Sequence, residues 1–147
     1  MKTRANPNSP IFYPTIEPPR IFISLTGRAA RAGFPSPADD YTEDRLDLNE
    51  LMIQHQAATF FARAKGQSMQ GAGIEDGDYL VVDKAITPIC GNIVVAAIDG
   101  ELLVKRYMSR QGRIWLDSAS PDFPSVMINE GQELTVWGVV TGIVRRL

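Results

Sequence analysis

Ser68 sits in Gly66-Gln67-Ser68-Met69, just past a strand-like run, where a glycine frees the chain to turn and present a hydroxyl. A serine on such a turn also serves as a local hydrogen-bond cap, and it attacks a carbonyl only when a neighbouring base takes its proton. Lys105 is the candidate base. It lies within Leu102-Leu103-Val104-Lys105-Arg106-Tyr107-Met108, where alternation places it on one face with Leu103 and Tyr107. Arg106 falls on the other face with Leu102, Val104 and Met108, so one cation is expected on the apolar side and the other in solvent. Apolar surroundings make an ammonium shed its proton: moving a lysine pKa from about 10.4 to near 7 takes roughly 4 kcal/mol of desolvation, which burial supplies. The bland alternative is a lysine that snorkels from an edge strand.

Two other residues have relevant chemistry, and each occurs once. His55, the rival base, is expected on the apolar side of a short helix as a packed or capping side chain. Cys90 precedes Gly91 with no basic neighbour in sequence and reads as a small buried hydrophobe. One cysteine forbids an internal disulfide, and one cysteine with one histidine cannot build a zinc site. The run Gly71-Ala72-Gly73-Ile74-Glu75-Asp76-Gly77-Asp78 is acidic and lacks the lysine of a phosphate cradle, so it reads as a loop and turn. Nothing in the chain calls for a metal or cofactor.

The elements that must position Ser68 and Lys105 are strands. Apolar runs at 59–64, 79–82, 93–98, 102–108, 113–116, 126–128 and 134–144 are separated by turn residues. Asp99-Gly100 and Gln111-Gly112 fall between the strongest of them, so residues 92–117 read as a three-stranded antiparallel meander. The whole is a mostly β, barrel-like or sandwich-like body of about 85 residues. One helix of about two to three turns precedes it, with Asp47 and Glu50 spaced as a capping box and Leu48, Leu51, Met52 and His55 at helical spacing.

Upstream, seven of the ten prolines fall in residues 1–37, a stretch expected to hold no regular structure. Residues 1–32 carry a net charge of +4 and the remainder −6, so arm and body attract each other. Ile21-Phe22-Ile23-Ser24-Leu25 is apolar and β-prone, which favours an arm docked on the body over a floating tail. With 147 residues, 44% of them hydrophobic, the chain suits one core plus an appendage. Its net charge of −2 offers no global attraction to nucleic acid or to an anionic membrane. No apolar run approaches the roughly 20 residues of a membrane helix and no signal peptide is visible, so a soluble cytoplasmic protein is expected.

Taken in order, Gly66-Gln67-Ser68-Met69, Gly73-Ile74-Glu75-Asp76-Gly77-Asp78, Gly91-Asn92-Ile93-Val94-Val95-Ala96 and Val104-Lys105-Arg106 resemble the self-cleaving serine proteases of the LexA and UmuD group. The resemblance is nearer to the UmuD branch. It extends upstream through Ala32-Gly33-Phe34-Pro35-Ser36-Pro37-Ala38-Asp39-Asp40-Tyr41 and 47–55, and covers residues 32–147.

That resemblance implies a compact antiparallel β-sheet body over 33–147, with one short helix and an N-terminal arm over 1–32 that self-cleavage removes. Ser68 matches the family's nucleophile and Lys105 its deprotonated general base. Ala32-Gly33 matches the cleaved bond, and the backbone N–H groups of Gln67 and Ser68 are the expected oxyanion donors. UmuD itself has cysteine before the scissile glycine, and Ala32 here follows the LexA pattern instead. Residues 1–32 are too few and too proline-rich for a helix-turn-helix domain, so a repressor role is not expected.

The implied function is SOS mutagenesis: cleavage stimulated by a RecA–single-stranded DNA filament, then a processed homodimer serving an error-prone translesion DNA polymerase of the UmuC kind. Direct nucleic-acid or membrane binding is not expected. The rival reading is a non-enzymatic module that docks on a polymerase uncleaved; membrane-anchored signal peptidases share the chemistry but need an anchor. Extended, the chain from Gly33 to Ser68 spans roughly 100 Å, so reach permits cleavage within a chain or between chains.

Overall fold

The computed structural model describes residues 11–12, 14, 21, 23–26 and 43–147. Ten strands are present: β1 (Ile11–Phe12), β2 (Ile23–Thr26), β3 (Glu43–Leu46), β4 (Thr59–Arg63), β5 (Tyr79–Asp83), β6 (Ile93–Ile98), β7 (Glu101–Arg110), β8 (Arg113–Asp117), β9 (Val126–Met127) and β10 (Leu134–Val144). Eight form one sheet in the order β1-β4-β5-β10-β6-β7-β8-β9, every pairing antiparallel, while β2 and β3 pair separately. The mostly β expectation holds.

The meander is built as its turns dictate. Asp99 and Gly100 take φ of 48° and 85°, and Gln111 and Gly112 take 50° and 73°. Positive φ at both central residues of a two-residue loop matches the twist of the flanking strands, so β6, β7 and β8 follow as successive hairpins. The long strand β10 lies between β5 and β6, and its register shifts between Val136 and Gly138 and again between Val140 and Gly142. A side chain at Gly138 would come within 2.9 Å of the Asp83 carbonyl oxygen, so the bulge requires a glycine there.

Alternation along β6 divides the core between the two faces of the sheet. Val95 belongs to a cluster with Phe60, Ala62, Leu80, Val82, Met69 and Ile74; Val94 and Ala96 pack with Leu116 and Val139. Phe60 is fully buried, edge-on to Trp137 at 6.2 Å between ring centres, so truncating it to alanine costs about 3–5 kcal/mol.

Because both faces carry apolar clusters, the expected split of β7 into an apolar and a solvent face fails. Leu102 and Val104 join one cluster and Tyr107 the other, and Lys105 and Arg106 are both half-buried. Arg106 reaches the edge of its face and donates to the Gly91 carbonyl at 3.1 Å.

The helix is shorter than its spacing predicts. α1 (Leu48–Met52) is five residues long, capped by the Asp47 carboxylate, which accepts from the Asn49 N–H at 2.8 Å. Leu48 and Leu51 stay exposed, and the helix ends before His55, which stands at the start of the 3-10 turn Gln56–Ala58 rather than on a helix face. Two short strands, β1 and β2, stand in the proline-rich stretch expected to lack regular structure. β1 docks on β4 by backbone pairing, whereas the segment expected to dock, residues 21–25, pairs through β2 with β3 in the separate two-stranded sheet. Among the described residues no helix is long and apolar enough to cross a membrane.

Candidate functional site

The chain leaves β4 through Ala64, whose N–H donates to the Asp78 carbonyl and whose own carbonyl accepts from the Gly77 N–H, both at 2.8 Å. Between these closures lies the Ser68 turn. Gly66, at φ of 89°, donates its N–H to the Asp76 carboxylate at 2.7 Å, fixing the start of the turn. Met69 is buried in the core, and a single 3-10 turn at Gln70–Ala72 ends on Gly73. Ser68 is half-buried, between exposed Gln67 and buried Met69.

The far side of the loop is held by Asp78, which is only 2% exposed. Arg145 donates through Nε to one Asp78 oxygen and through Nη2 to the other, each at 2.6 Å, while the Glu75 N–H adds a third bond at 2.8 Å. The hydrogen bond from Arg145 is the main reason the Asp78 carboxyl is held below the usual carboxylate range, against the opposing effect of burial. Arg145 also donates to the Gly73 carbonyl, so the chain just after β10 clamps the loop that follows Ser68.

Lys105 stands in the middle of β7, and its Nζ donates to Ser118 Oγ at 2.8 Å. Burial lowers the Lys105 pKa below its ordinary 10.5. The ring of Phe123 lies 5.9 Å from the ammonium. The next residue after Ser118 connects this lysine to the serine turn: the Ala119 N–H donates to the Ser68 carbonyl at 2.7 Å, and the Gly71 N–H donates to the Ala119 carbonyl at 2.6 Å. The Ser68 turn and Lys105 thus meet at one junction, the exit of β8. Among the described residues the N–H groups of Gln67 and Ser68 have no acceptor.

The peptidase S24-like family matches residues 24–141 of this sequence. The chain belongs to that family. It is 45% identical to Protein SamA of Salmonella typhimurium over 133 residues, 90% of this chain and 92% of SamA. It is 49% identical to Protein ImpA of Escherichia coli over 116 residues, 79% of each chain. The LexA repressor of Ectopseudomonas mendocina is 34% identical over 125 residues, 84% of this chain and 60% of the repressor.

In this S24-like chain, the sequence alone assigns no role at the site to Ser118, Ala119 or Gly71, the last being read only as part of a loop. Ser118 was within reach, because the Gln111-Gly112 turn fixes the register: Arg110 opposes Arg113, Arg106 opposes Asp117, and one step further Lys105 faces Ser118. The other two single-copy residues are elsewhere. His55 Nδ1 lies 2.6 Å from the Asp83 carboxylate, at the end of β5. Cys90 is exposed, not buried, because the loop before β6 lies at the surface; the Ser109 N–H donates to its sulfur at 3.2 Å. Ala32 and Gly33 lie outside the described residues, on the connection between β2 and β3.

Proposed function

We propose that this protein is a UmuD-like SOS mutagenesis protein that cleaves its own chain between Ala32 and Gly33, with Ser68 as nucleophile and Lys105 as general base. The observation that carries the reading is the junction at Ser118-Ala119, which bonds the Lys105 ammonium through one residue and the Ser68 turn through the next. In the reaction neutral Lys105 takes the Ser68 proton as Oγ attacks the Ala32 carbonyl carbon. The oxyanion forms at the N–H groups of Gln67 and Ser68, and the protonated lysine then gives its proton to the departing Gly33 amine. Water hydrolyses the resulting ester and frees the serine. Ser118 is a positioning residue that holds Nζ on its face of the strand.

Family membership and the likeness to SamA and ImpA support the wider role: RecA-filament stimulation, a processed homodimer, and service to an error-prone polymerase in the cytoplasm. Gel analysis of the purified protein tests it, alone, at alkaline pH and with activated RecA filament, beside Ser68→Ala. The expected large product begins Gly33-Phe34-Pro35-Ser36 and is missing in Ser68→Ala. Cleavage elsewhere refutes the bond, and a parent that never cleaves leaves the non-enzymatic docking module as the correct reading. Light scattering of the intact and processed protein checks the homodimer.

A further inference from the structure

β1 extends the main sheet by one strand, with Ile11 opposite Ala62 and Phe12 opposite Phe61 of β4. Take β1 away and β4 becomes the border of the sheet among the described residues. A border strand presents a row of N–H and C=O groups that an extended segment completes, which is how strand addition binds peptides.

Two features make the cover temporary. The ladder is two residues long, against about five or six in an ordinary strand. Along the chain, the only other described pairing of the arm is β2 with β3, and the Ala32-Gly33 bond falls between those two strands. A cut there leaves β1 and β2 on a separate peptide. While the chain is whole, β1 meets β4 at an effective concentration on the order of millimolar; afterwards only the four-residue β2–β3 ladder keeps the cut peptide near, and once that pairing opens the two-residue contact does not hold at micromolar concentration.

We propose that the outer edge of β4 at Phe61 and Ala62 is a strand-docking surface, occupied by β1 in the intact chain and opened by loss of the arm to an extended segment of another polypeptide. Its occupant carries neighbouring apolar and aromatic residues, the chemistry of Ile11-Phe12, and binds mainly through its backbone. The trigger rests on the cleavage reading above; the surface itself does not.

The test uses full-length Ser68→Ala protein, in which no cleavage intervenes, with and without Ile11→Pro and Phe12→Pro together. Successive N–H groups point to opposite sides of a strand, so replacing both removes whichever one faces β4. Amide exchange is followed in Thr59–Arg63 and Tyr79–Asp83, and binding is followed by chemical shifts as a peptide of residues 8–15 is titrated up to about millimolar concentration, the range of the tethered contact. Exchange in Thr59–Arg63 is expected to rise about tenfold or more while Tyr79–Asp83 is unchanged. The peptide is expected to bind the proline variant and not its parent. An unchanged β4, or an opened β4 that ignores the peptide, overturns the proposal; so does dimerisation through the opened edge, which assigns it to a second copy. Glycine at both positions keeps every N–H and gives the same direction at smaller amplitude should the proline variant not fold. If the Ser68-containing protein never cleaves, the trigger fails while the edge result stands; if it cleaves and the processed protein refuses the peptide, the surface fails.

Discussion

The Ala119 N–H donates to the Ser68 carbonyl at 2.7 Å, one residue beyond the hydroxyl that accepts from Lys105. Backbone, not side chains, therefore sets the distance between the turn and the strand exit. Gly71 completes the staple, and a Cβ added there would lie 2.1 Å from the Ala119 carbonyl oxygen, a clash with rigid backbone. Gly71→Ala is predicted to push the turn off β8, at a cost of about 1–3 kcal/mol. Displacement of about 1 Å slows such chemistry by roughly a hundredfold. A folded Gly71→Ala protein cleaving at the parent rate would show that the staple does not set the site.

Lys105 is expected to control the pH dependence. As the proposed base it works only in its neutral form, so self-cleavage should rise with pH until the lowered lysine pKa is passed, short of the ordinary 10.5. The linkage has a definite sign. Between the folded value and 10.5 the unfolded chain holds a proton that the folded chain lacks, so stability rises with pH across that window; below it, the buried ammonium carries its full penalty. Lys105→Met should then melt at higher temperature at neutral pH and not cleave. Lys105→Arg keeps the cation but offers no base, with an expected loss of about 10²–10⁴-fold at every pH. Ser118→Ala should retain partial activity with a displaced profile, since it frees Nζ without removing it. A Lys105→Arg protein that cleaves at the parent rate would end the assignment.

The sheet was legible because its signals are local. Asp99-Gly100 and Gln111-Gly112 each dictate a turn, and the runs between them alternate or stay apolar, so β6, β7 and β8 follow from neighbours in sequence. The staple was not, because it joins Ser68 and Gly71 to Ala119 through main-chain atoms that every residue possesses. α1 was overestimated for a related reason. Leu48 and Leu51 have helical spacing, but packing decides whether such a face is buried, and here it is exposed. The length of β7's apolar run likewise hid that both of its faces are covered.

Asp78 and Arg145 should determine acid stability. The carboxyl is held below its usual 3.8, chiefly by the hydrogen bond from Arg145, so its contribution is complete above that value and is lost as pH falls through the folded value. Asp78→Asn is predicted to lower stability at neutral pH and to flatten the acid limb in urea melts from about pH 2 to 7. Arg145→Gln should do the same and also loosen the Gly73 end of the loop, lowering the cleavage rate with it. A Asp78→Asn acid limb parallel to the parent's would place the acid sensitivity elsewhere.

His55 is expected to matter for stability and not for cleavage. Its Nδ1 is 2.6 Å from Asp83, a carboxylate 1% exposed, and Asp83 belongs to the row Asp83, Val139, Val94, Lys105 across β5, β10, β6 and β7. Three strand spacings separate Asp83 from Lys105, about 14 Å at the usual 4.8 Å each. From there the imidazole does not serve the junction at Ser118. Its loss leaves a buried carboxylate one partner short, because the remaining Asp83 oxygen is held by the Ala85 N–H. His55→Ala should therefore cost about 1–3 kcal/mol in denaturant melts. Its cleavage rate, measured under conditions where the variant is fully folded, should match the parent at each pH from about 6 to 11, the range that brackets neutral and charged lysine. A folded His55→Ala protein that cannot cleave would move the base from Lys105 to the only histidine in the chain and overturn the mechanism.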